Sequence, residues 1–403
     1  MKKIRVGVLF GGRSGEHEVS LLSAASVLKA LDRKKYHVIP IGITRNGQWV
    51  TAGAAESLLA SKPMQIEAHL RAGDPTATLG AAVLAGGESV IVPPVPARAK
   101  TGTGTLVPFQ SDAKTLASDA AQQKLQLDVV FPVLHGTFGE DGTIQGLLEL
   151  AGIAYVGSGV LGSAAGMDKD AMKRLFASAK LPMVKHVTFL RKEWEKSPAK
   201  VVKNIEAAVR YPVFVKPANL GSSVGISKAK NRKELRTAIA LAAQYDRKIL
   251  AEQGVGGRGK HGKARELEVA VLGNDEPQAS IVGEIIPSKE FYDYEAKYLS
   301  EGSVAVIPAK LSRDEQKQIQ EMAVKAFRAC DCAGMARVDF LKEPGPKGRI
   351  YLNEVNTLPG FTSISMYPKL WEASGLPLPK LIDRLIELAQ ERHAEKHQNQ
   401  YSL

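Results

Sequence analysis

Four side chains late in the sequence have the types and spacing for joint chemistry. Arg337 and Asp339 lie two apart in Gly334-Met-Ala-Arg-Val-Asp-Phe-Leu-Lys342. Glu354 and Asn356 lie two apart in Arg349-Ile-Tyr-Leu-Asn-Glu-Val-Asn-Thr357. Both segments are rich in β-branched and aromatic residues, and Glu343-Pro-Gly-Pro-Lys-Gly348 breaks the pattern between them, so they read as two strands around a turn. Alternate strand residues share a face, which places Asn353 opposite to Glu354 and groups the other four. A paired hairpin would then offer two carboxylates and an amide oxygen, hard donors for Mg²⁺, beside a guanidinium suited to a developing anion. A surface hairpin with ordinary ion pairs would carry the same residues, and these residues alone do not decide between the two.

A second group suits phosphate. Pro212-Val-Phe-Val-Lys216 is a strand ending in a cation, followed by the flexible loop Ala218-Asn-Leu-Gly-Ser-Ser-Val-Gly225. Successive backbone N–H groups in such a loop can wrap phosphate oxygens, with a lysine as point charge. A helix over Asp168 to Ala179 contributes Lys169. No G-x-x-x-x-G-K-[ST] motif occurs, so this is not a Walker loop, and a plain polar hairpin loop is the alternative.

The elements that must position these groups follow from the apolar pattern. Ile4 to Phe10 is a continuous apolar run of the kind buried on both faces of a parallel sheet. Gly11-Gly12-Arg13-Ser14-Gly15 is a turn, a helix starts near Glu16, and Tyr36 to Ile43 is the next strand. This β-turn-α-β order implies a doubly wound parallel sheet with ligands at the carboxyl ends of its strands. Glu16 sits at such an end, as a ligand contact or as a helix-start carboxylate favoured by the dipole. Leu127 to Leu134 is another buried strand, ending at His135 and a glycine-rich turn. His135 reads equally as a ligand contact and as a structural histidine.

Residues 52–123 carry little signal: one strand-like run at Ser89 to Val92, and a loop from Pro93 to Asp112. Gly157-Ser-Gly-Val-Leu-Gly162 matches the dinucleotide pattern, yet the acidic residue expected on the next strand is missing, so it reads as a junction between domains. Phe291-Tyr-Asp-Tyr-Glu-Ala-Lys-Tyr298 is unusually aromatic and charged for a loop, and reads as a lid over a site.

Composition narrows the class. With 403 residues the chain exceeds one ordinary core. Its 44% hydrophobic and 24% charged content is that of a soluble globular protein. The net charge of +12 is spread along the sequence without interleaved aromatics, which argues for a solvated basic surface and against a nucleic-acid partner. Cys330 and Cys332 make neither a disulfide framework nor a four-ligand zinc site, and read as buried thiols of a reducing cytoplasm. The basic start, Lys2, Lys3 and Arg5, precedes an apolar run too short for a signal peptide, and no stretch is long enough to span a membrane.

Taken in order, several segments together resemble the D-alanine–D-alanine ligases, ATP-grasp enzymes of peptidoglycan synthesis. They are Gly11-Gly12 with Glu16-His-Glu-Val-Ser, His135-Gly with Gly139-Glu-Asp-Gly, Gly221-Ser-Ser-Val-Gly, Phe291-Tyr-Asp-Tyr-Glu-Ala-Lys-Tyr and Glu354-Val-Asn-Thr-Leu-Pro-Gly-Phe-Thr. The resemblance covers nearly the whole chain.

It implies a three-domain α/β ATP-grasp fold: an N-terminal doubly wound substrate domain over 1–157, a central domain over 158–253, and a C-terminal metal-binding domain over 254–403. It implies ATP as substrate, with Lys169, Lys216, Ser222 and Ser223 at its phosphates, Glu252, Gln253 and Val255 at adenine, and Glu266 at the ribose. Two Mg²⁺ ions, replaceable by Mn²⁺, would be held by Asp339, Glu354 and Asn356, with Glu354 bridging. Arg337 would stabilise the tetrahedral centre. Glu16 would bind the ammonium of the first D-alanine, linked to Ser222 and Tyr298, while His135 lies beside that substrate and Ser365 binds the second carboxylate. A cytoplasmic homodimer is implied, with D-alanine as partner and neither nucleic acid nor membrane. Tyr298 argues against a D-lactate-using relative, whereas a D-serine-using one stays open. A nucleotide-binding regulatory module would not need Arg337, Glu354 and Asn356 together. Two departures stand out: an expanded 52–123 stretch, and a loop over 256–265 that is long for its place before Glu266.

Overall fold

The computed structural model describes residues 2–47, 49–51, 88–91, 104–105, 107–108, 126–256, 262–287 and 304–400. Its strands in chain order are β1 (Ile4–Gly11), β2 (Tyr36–Ile43), β3 (Trp49–Thr51), β4 (Glu88–Ile91), β5 (Gly104–Thr105), β6 (Val107–Pro108), β7 (Gln126–Leu127), β8 (Val129–Pro132) and β9 (Ala154–Tyr155), then β10 (His186–Leu190), β11 (Val213–Pro217), β12 (Ser227–Ala229) and β13 (Lys248–Gln253), and finally β14 (Arg265–Gly273), β15 (Gln278–Ile286), β16 (Val304–Val306), β17 (Gly334–Lys342) and β18 (Ile350–Asn356). The described helices are α1 (His17–Ala30), α2 (Thr143–Leu150), α3 (Val160–Met167), α4 (Lys169–Ser178), α5 (Arg191–Lys196), α6 (Pro198–Ala208), α7 (Arg232–Tyr245), α8 (Arg313–Ala329), α9 (Met366–Ala373) and α10 (Leu378–Lys396).

Three main sheets result. The first runs β6-β4-β3-β2-β1-β8-β9, the second β10-β13-β11-β12, and the third β16-β15-β14-β17-β18. The apolar run from Ile4 does form a central strand, parallel to β2 on one side and to β8 on the other. The sheet is not parallel throughout. β3, β4 and β6 extend it in antiparallel fashion, and they lie where the sequence shows little periodicity. The run from Leu127 is also split. β7 leaves to pair with β5, because Asp128 turns to Arg5 and takes its guanidinium at 2.6 Å and its backbone N–H at 2.7 Å.

Packing joins the first and third sheets. The last helix, α10, carries Leu381, Ile382, Leu385, Ile386, Leu388 and Ala389 along one apolar stripe. These enter one core with Val6, Val8, Phe10 and Phe131 of the first sheet and with Ala270, Leu272 and Met335 of the third. Each such fully buried aliphatic side chain contributes about 1.5–3 kcal/mol relative to exposure. The second sheet has its own core, built from Val201, Ile205, Val215, Leu235, Ile239 and Ile249. Cys330 and Cys332 are both buried.

The glycines at 157–162 serve this packing. A Cβ on Gly162 would press on the backbone carbonyl of Asp331, and Gly157 lies against the backbone of Gly334. Close approach of two backbones is therefore what requires glycine there.

Candidate active site

The late hairpin forms as its alternation suggests. β17 and β18 pair antiparallel, with Arg337 opposite Asn356 and Asp339 opposite Glu354. Burial along β17 alternates, and Arg337 and Asp339 fall on its half-buried face. The register shifts after Asp339, so Asn353 is an extra residue in β18. Arg337 donates to both oxygens of Asp339, from Nε at 2.7 Å and from Nη2 at 2.6 Å. Its Nε also lies 3.1 Å from Glu268 Oε2.

Glu268 is a residue that the sequence reading passed over. It sits on β14 directly opposite Asp339, and is buried. Glu268, Asp339 and Glu354 thus form a row of carboxylates across three adjacent strands. Like charges opposite one another repel, so the row requires cations in its gaps. Arg337 fills the gap between Glu268 and Asp339. The signal available in the sequence was position: Glu268 follows Glu266 by two and shares its strand face.

The second sheet brings the phosphate group of residues to the same place. Lys216 is the penultimate residue of β11, and its charged form is favoured by carboxylates of the second and third sheets. Burial lowers its pKa, but Glu252, Glu354 and Glu266 outweigh this and hold it above the ordinary lysine value. Lys216 Nζ is 2.7 Å from Glu252 Oε2, and Lys173 Nζ is 2.9 Å from Glu252 Oε1. Burial pushes the Glu252 carboxyl up, yet the two lysines overcome it and hold the group far below the usual carboxylate range. Glu252 is therefore clasped by cations through its side chain, so a base at this strand would meet its backbone. Gln253 accepts from Arg210 N at 3.2 Å through Oε1, and Val255 follows Gly254, whose N–H goes to Pro212 O.

Lys169 opens α4 and donates to Leu220 O at 2.8 Å, just before the glycine-serine loop. Asp168 caps this helix, accepting from the N–H groups of Asp170 and Ala171. In the loop, Ser222 and Ser223 have φ of +47° and +61°. Two consecutive non-glycine residues in the left-handed region cost roughly 1–3 kcal/mol each, a strain typical of ligand-holding turns. Glu266 starts the third sheet's β14, opposite Leu341 of β17.

The first sheet supplies the acidic and imidazole groups. Glu16 stands at the start of α1 without capping it through its side chain, and is buried. Its Oε1 lies where a Cβ on Gly221 would sit, and 3.1 Å from a Cβ on Gly136. The glycine-serine loop of the second sheet thus rests directly on the Glu16 carboxylate. His135 is buried, with Nε2 3.1 Å from Ser23 Oγ and Nδ1 3.1 Å from Leu358 O. Burial lowers its pKa, but Glu140 at 3.7 Å, Glu16 and the Leu358 carbonyl raise it to a net value above that of free imidazole.

Ser365 precedes α9 and faces back into its own turn. Its Oγ accepts from Thr362 N at 3.0 Å and shares a 2.8 Å hydrogen bond with Thr362 Oγ1. A Cβ on Gly360 would lie 2.7 Å from that Oγ, so glycine is required for the turn to close. Asn356 Oδ1 accepts from Leu358 N at 3.1 Å, which orients the amide. Among the described residues no trio of His, Cys, Asp and Glu could hold a metal ion, so a cation here would depend on the Asn356 oxygen as well as on carboxylates. Tyr298, the lid reading around it and residues 257–261 lie outside the described residues, as does most of 52–123.

The arrangement therefore gathers a guanidinium, three carboxylates and an amide from the third sheet, lysines and a phosphate-suited loop from the second, and Glu16 and His135 from the first. Known proteins resemble the chain over nearly their whole length. The family profile described as D-ala D-ala ligase N-terminus matches residues 5–158, and D-ala D-ala ligase C-terminus matches residues 175–387. A D-alanine–D-alanine ligase of Natranaerobius thermophilus is 48% identical over 99% of this chain and 98% of its own. One from Bacillus cytotoxicus is 45% identical over 100% of both. The solved D-alanine-D-alanine ligase of Coxiella burnetii superposes with a TM-score of 0.77 at 35% identity, covering 99% of this chain and 97% of its own. The VanG D-Ala:D-Ser ligase of Enterococcus faecalis gives 0.75 at 36% identity, covering 96% and 100%.

Proposed function

The chain belongs to the D-alanine–D-alanine ligase family, and from that premise we propose how its residues join two D-alanine molecules. The enzyme is an ATP-dependent ligase of the ATP-grasp fold, forming D-alanyl-D-alanine for peptidoglycan synthesis. A carboxylate is a poor acyl donor at neutral pH. Transfer of the γ-phosphoryl group to the first D-alanine makes an acyl phosphate; the amine of the second D-alanine attacks its carbonyl, and phosphate leaves.

Each group then has a task. Glu16 pairs with the first ammonium, and His135, held by Ser23 and Leu358, lines that pocket. Lys169 and Lys216 bind ATP phosphates under the loop of Ser222 and Ser223. The backbone of Glu252 to Val255 meets adenine, and Glu266 meets the ribose. Ser365, at the start of α9, binds the second carboxylate, where the helix dipole favours an anion. Arg337 presents forked donors to the oxyanion of the tetrahedral centre. Tyr298 belongs to the proposed link with Glu16 and Ser222.

Asp339, Glu354 and Asn356 suit Mg²⁺ or Mn²⁺, since they are hard oxygen donors at adjacent register positions and the Asn356 amide is already oriented. Two such ions would neutralise charge on the phosphoryl oxygens. The three sheets support a division into domains at 1–157, 158–253 and 254–403. A cytoplasmic homodimer completes the reading; among the described residues no helix is long and apolar enough to cross a membrane.

The single observation that carries this reading is that the Glu354 carboxylate of the third sheet helps hold the buried Lys216 ammonium of the second sheet charged, which brings phosphate and metal groups to one place. The test is ADP release with D-alanine alone, and with D-serine or D-lactate as the second substrate. Release that needs only D-alanine, and is slower with both competitors, is expected. Faster release with D-serine or D-lactate would reassign the second substrate.

A further inference from the structure

Lys173 is a buried cation that none of the steps above employs. Its side chain is 1% exposed, and that of Glu252 is 4% exposed. It stands one turn after Lys169 on α4, and so shares that lysine's side of the helix. Each oxygen of Glu252 faces one lysine, Oε1 toward Lys173 and Oε2 toward Lys216. Lys173 Nζ also lies 3.4 Å from Asn353 O, the carbonyl of the extra residue beside Glu354. One side chain of the Lys169 helix therefore ties the strand of Glu252 to the strand of Glu354.

We propose that Lys173 is a positioning residue for nucleotide binding: it neutralises Glu252 permanently, so that Lys216 can leave that carboxylate and turn to the phosphates. A lysine that is the sole countercharge of a buried carboxylate cannot leave it without stranding the charge. With Lys173 in place the carboxylate keeps one partner throughout. Lys216 is the mobile member because it is the more exposed of the two, at 12%. The inference rests on the reading of Lys216 as a phosphate contact.

The experiment measures affinities by calorimetry for the non-hydrolysable imido analogue of ATP and for adenosine. Lys173→Met ties Lys216 to Glu252, so the analogue should bind about tenfold or more weakly while adenosine is unchanged. Removing the charge as well, in Lys173→Met/Glu252→Gln, should bring the ratio of analogue to adenosine affinity back to within about threefold of the parent's, which cancels any effect of the change on adenine itself. An analogue affinity within about twofold of the parent in Lys173→Met overturns the proposal, as does an equal loss for adenosine. If Lys173→Met alone is insoluble, Glu252→Gln is compared with the double variant. With the carboxylate gone Lys173 has nothing to neutralise, so the two must bind the analogue equally, and a further loss refutes the idea. Lys216→Met separates the premise: an unchanged analogue affinity there removes Lys216 from the phosphates, whatever Lys173 does.

Discussion

Arg337 holds Asp339 through two donors of its guanidinium, at 2.7 and 2.6 Å, from two positions away on the same strand face. The pair is half-buried, and Glu268 touches the same Nε. Arg337 is thus the cation that makes two neighbouring carboxylates tolerable, beside the role as oxyanion donor proposed for it. Arg337→Met should lower kcat by about 10²–10³, the usual loss for one oxyanion donor. It should also lower the melting temperature, because Glu268 and Asp339 lose their shared partner. Arg337→Lys keeps charge but not the fork, and should recover stability more than rate. Measuring kcat and melting temperature on one preparation decides the matter: an unchanged kcat in the folded variant removes the catalytic role.

Glu354 faces Asp339 across the hairpin, so its removal relieves a like-charge contact. Glu354→Ala also removes the attraction to Lys216, so the melting temperature should change little, while ADP release falls below detection. Near-normal turnover at saturating Mg²⁺ would discard Glu354 as a metal ligand.

Gly221 lies against the Glu16 carboxylate so closely that no side chain fits between them. Gly221→Ala forces the loop or Glu16 to move. Overpacking of this size costs about 1–3 kcal/mol. The KM for D-alanine should rise by about tenfold with little change in melting temperature, since the loop is peripheral to the cores. An unaltered KM would mean that Glu16 and the loop do not act together.

His135 has its pKa raised in the folded state, where Glu140 and Glu16 favour its charged form over the opposing effect of burial. The sign follows from linkage. A group that holds its proton more tightly when folded adds stability below its unfolded pKa, and that contribution disappears as pH climbs through the folded pKa. The window therefore opens at the ordinary imidazole value of 6.5 and extends upward. Wild-type melting temperature should fall more between about pH 6 and about pH 9 than that of His135→Gln. Parallel pH dependence in the two proteins would contradict the assignment.

Much of this site was legible because strands and helices convert spacing into direction. Arg337, Asp339, Glu354 and Asn356 could be grouped by alternation alone, and Lys216 by its place at a strand end. Lys173 and Glu268 were one helical turn and one strand period from residues already singled out. They were missed because a buried ion pair reveals itself only when its partner, distant in sequence, is known: Glu252 is 79 positions from Lys173, as their numbers show. The antiparallel edge of the first sheet was hidden for another reason. β3 and β6 are three and two residues long, too short for periodicity to register.

The shared core has a mechanical consequence. Glu16 and Arg337 are bolted to one rigid block, because α10 welds the first and third sheets into a single apolar mass. The second sheet, which carries Lys216 and leads into the loop of Ser222, has a separate core. A shift of that sheet against the block would carry Lys216 and Ser222 away from Glu16 and Arg337 at once. The spacing between Glu16 and Arg337 is set by the shared core and does not depend on the second sheet.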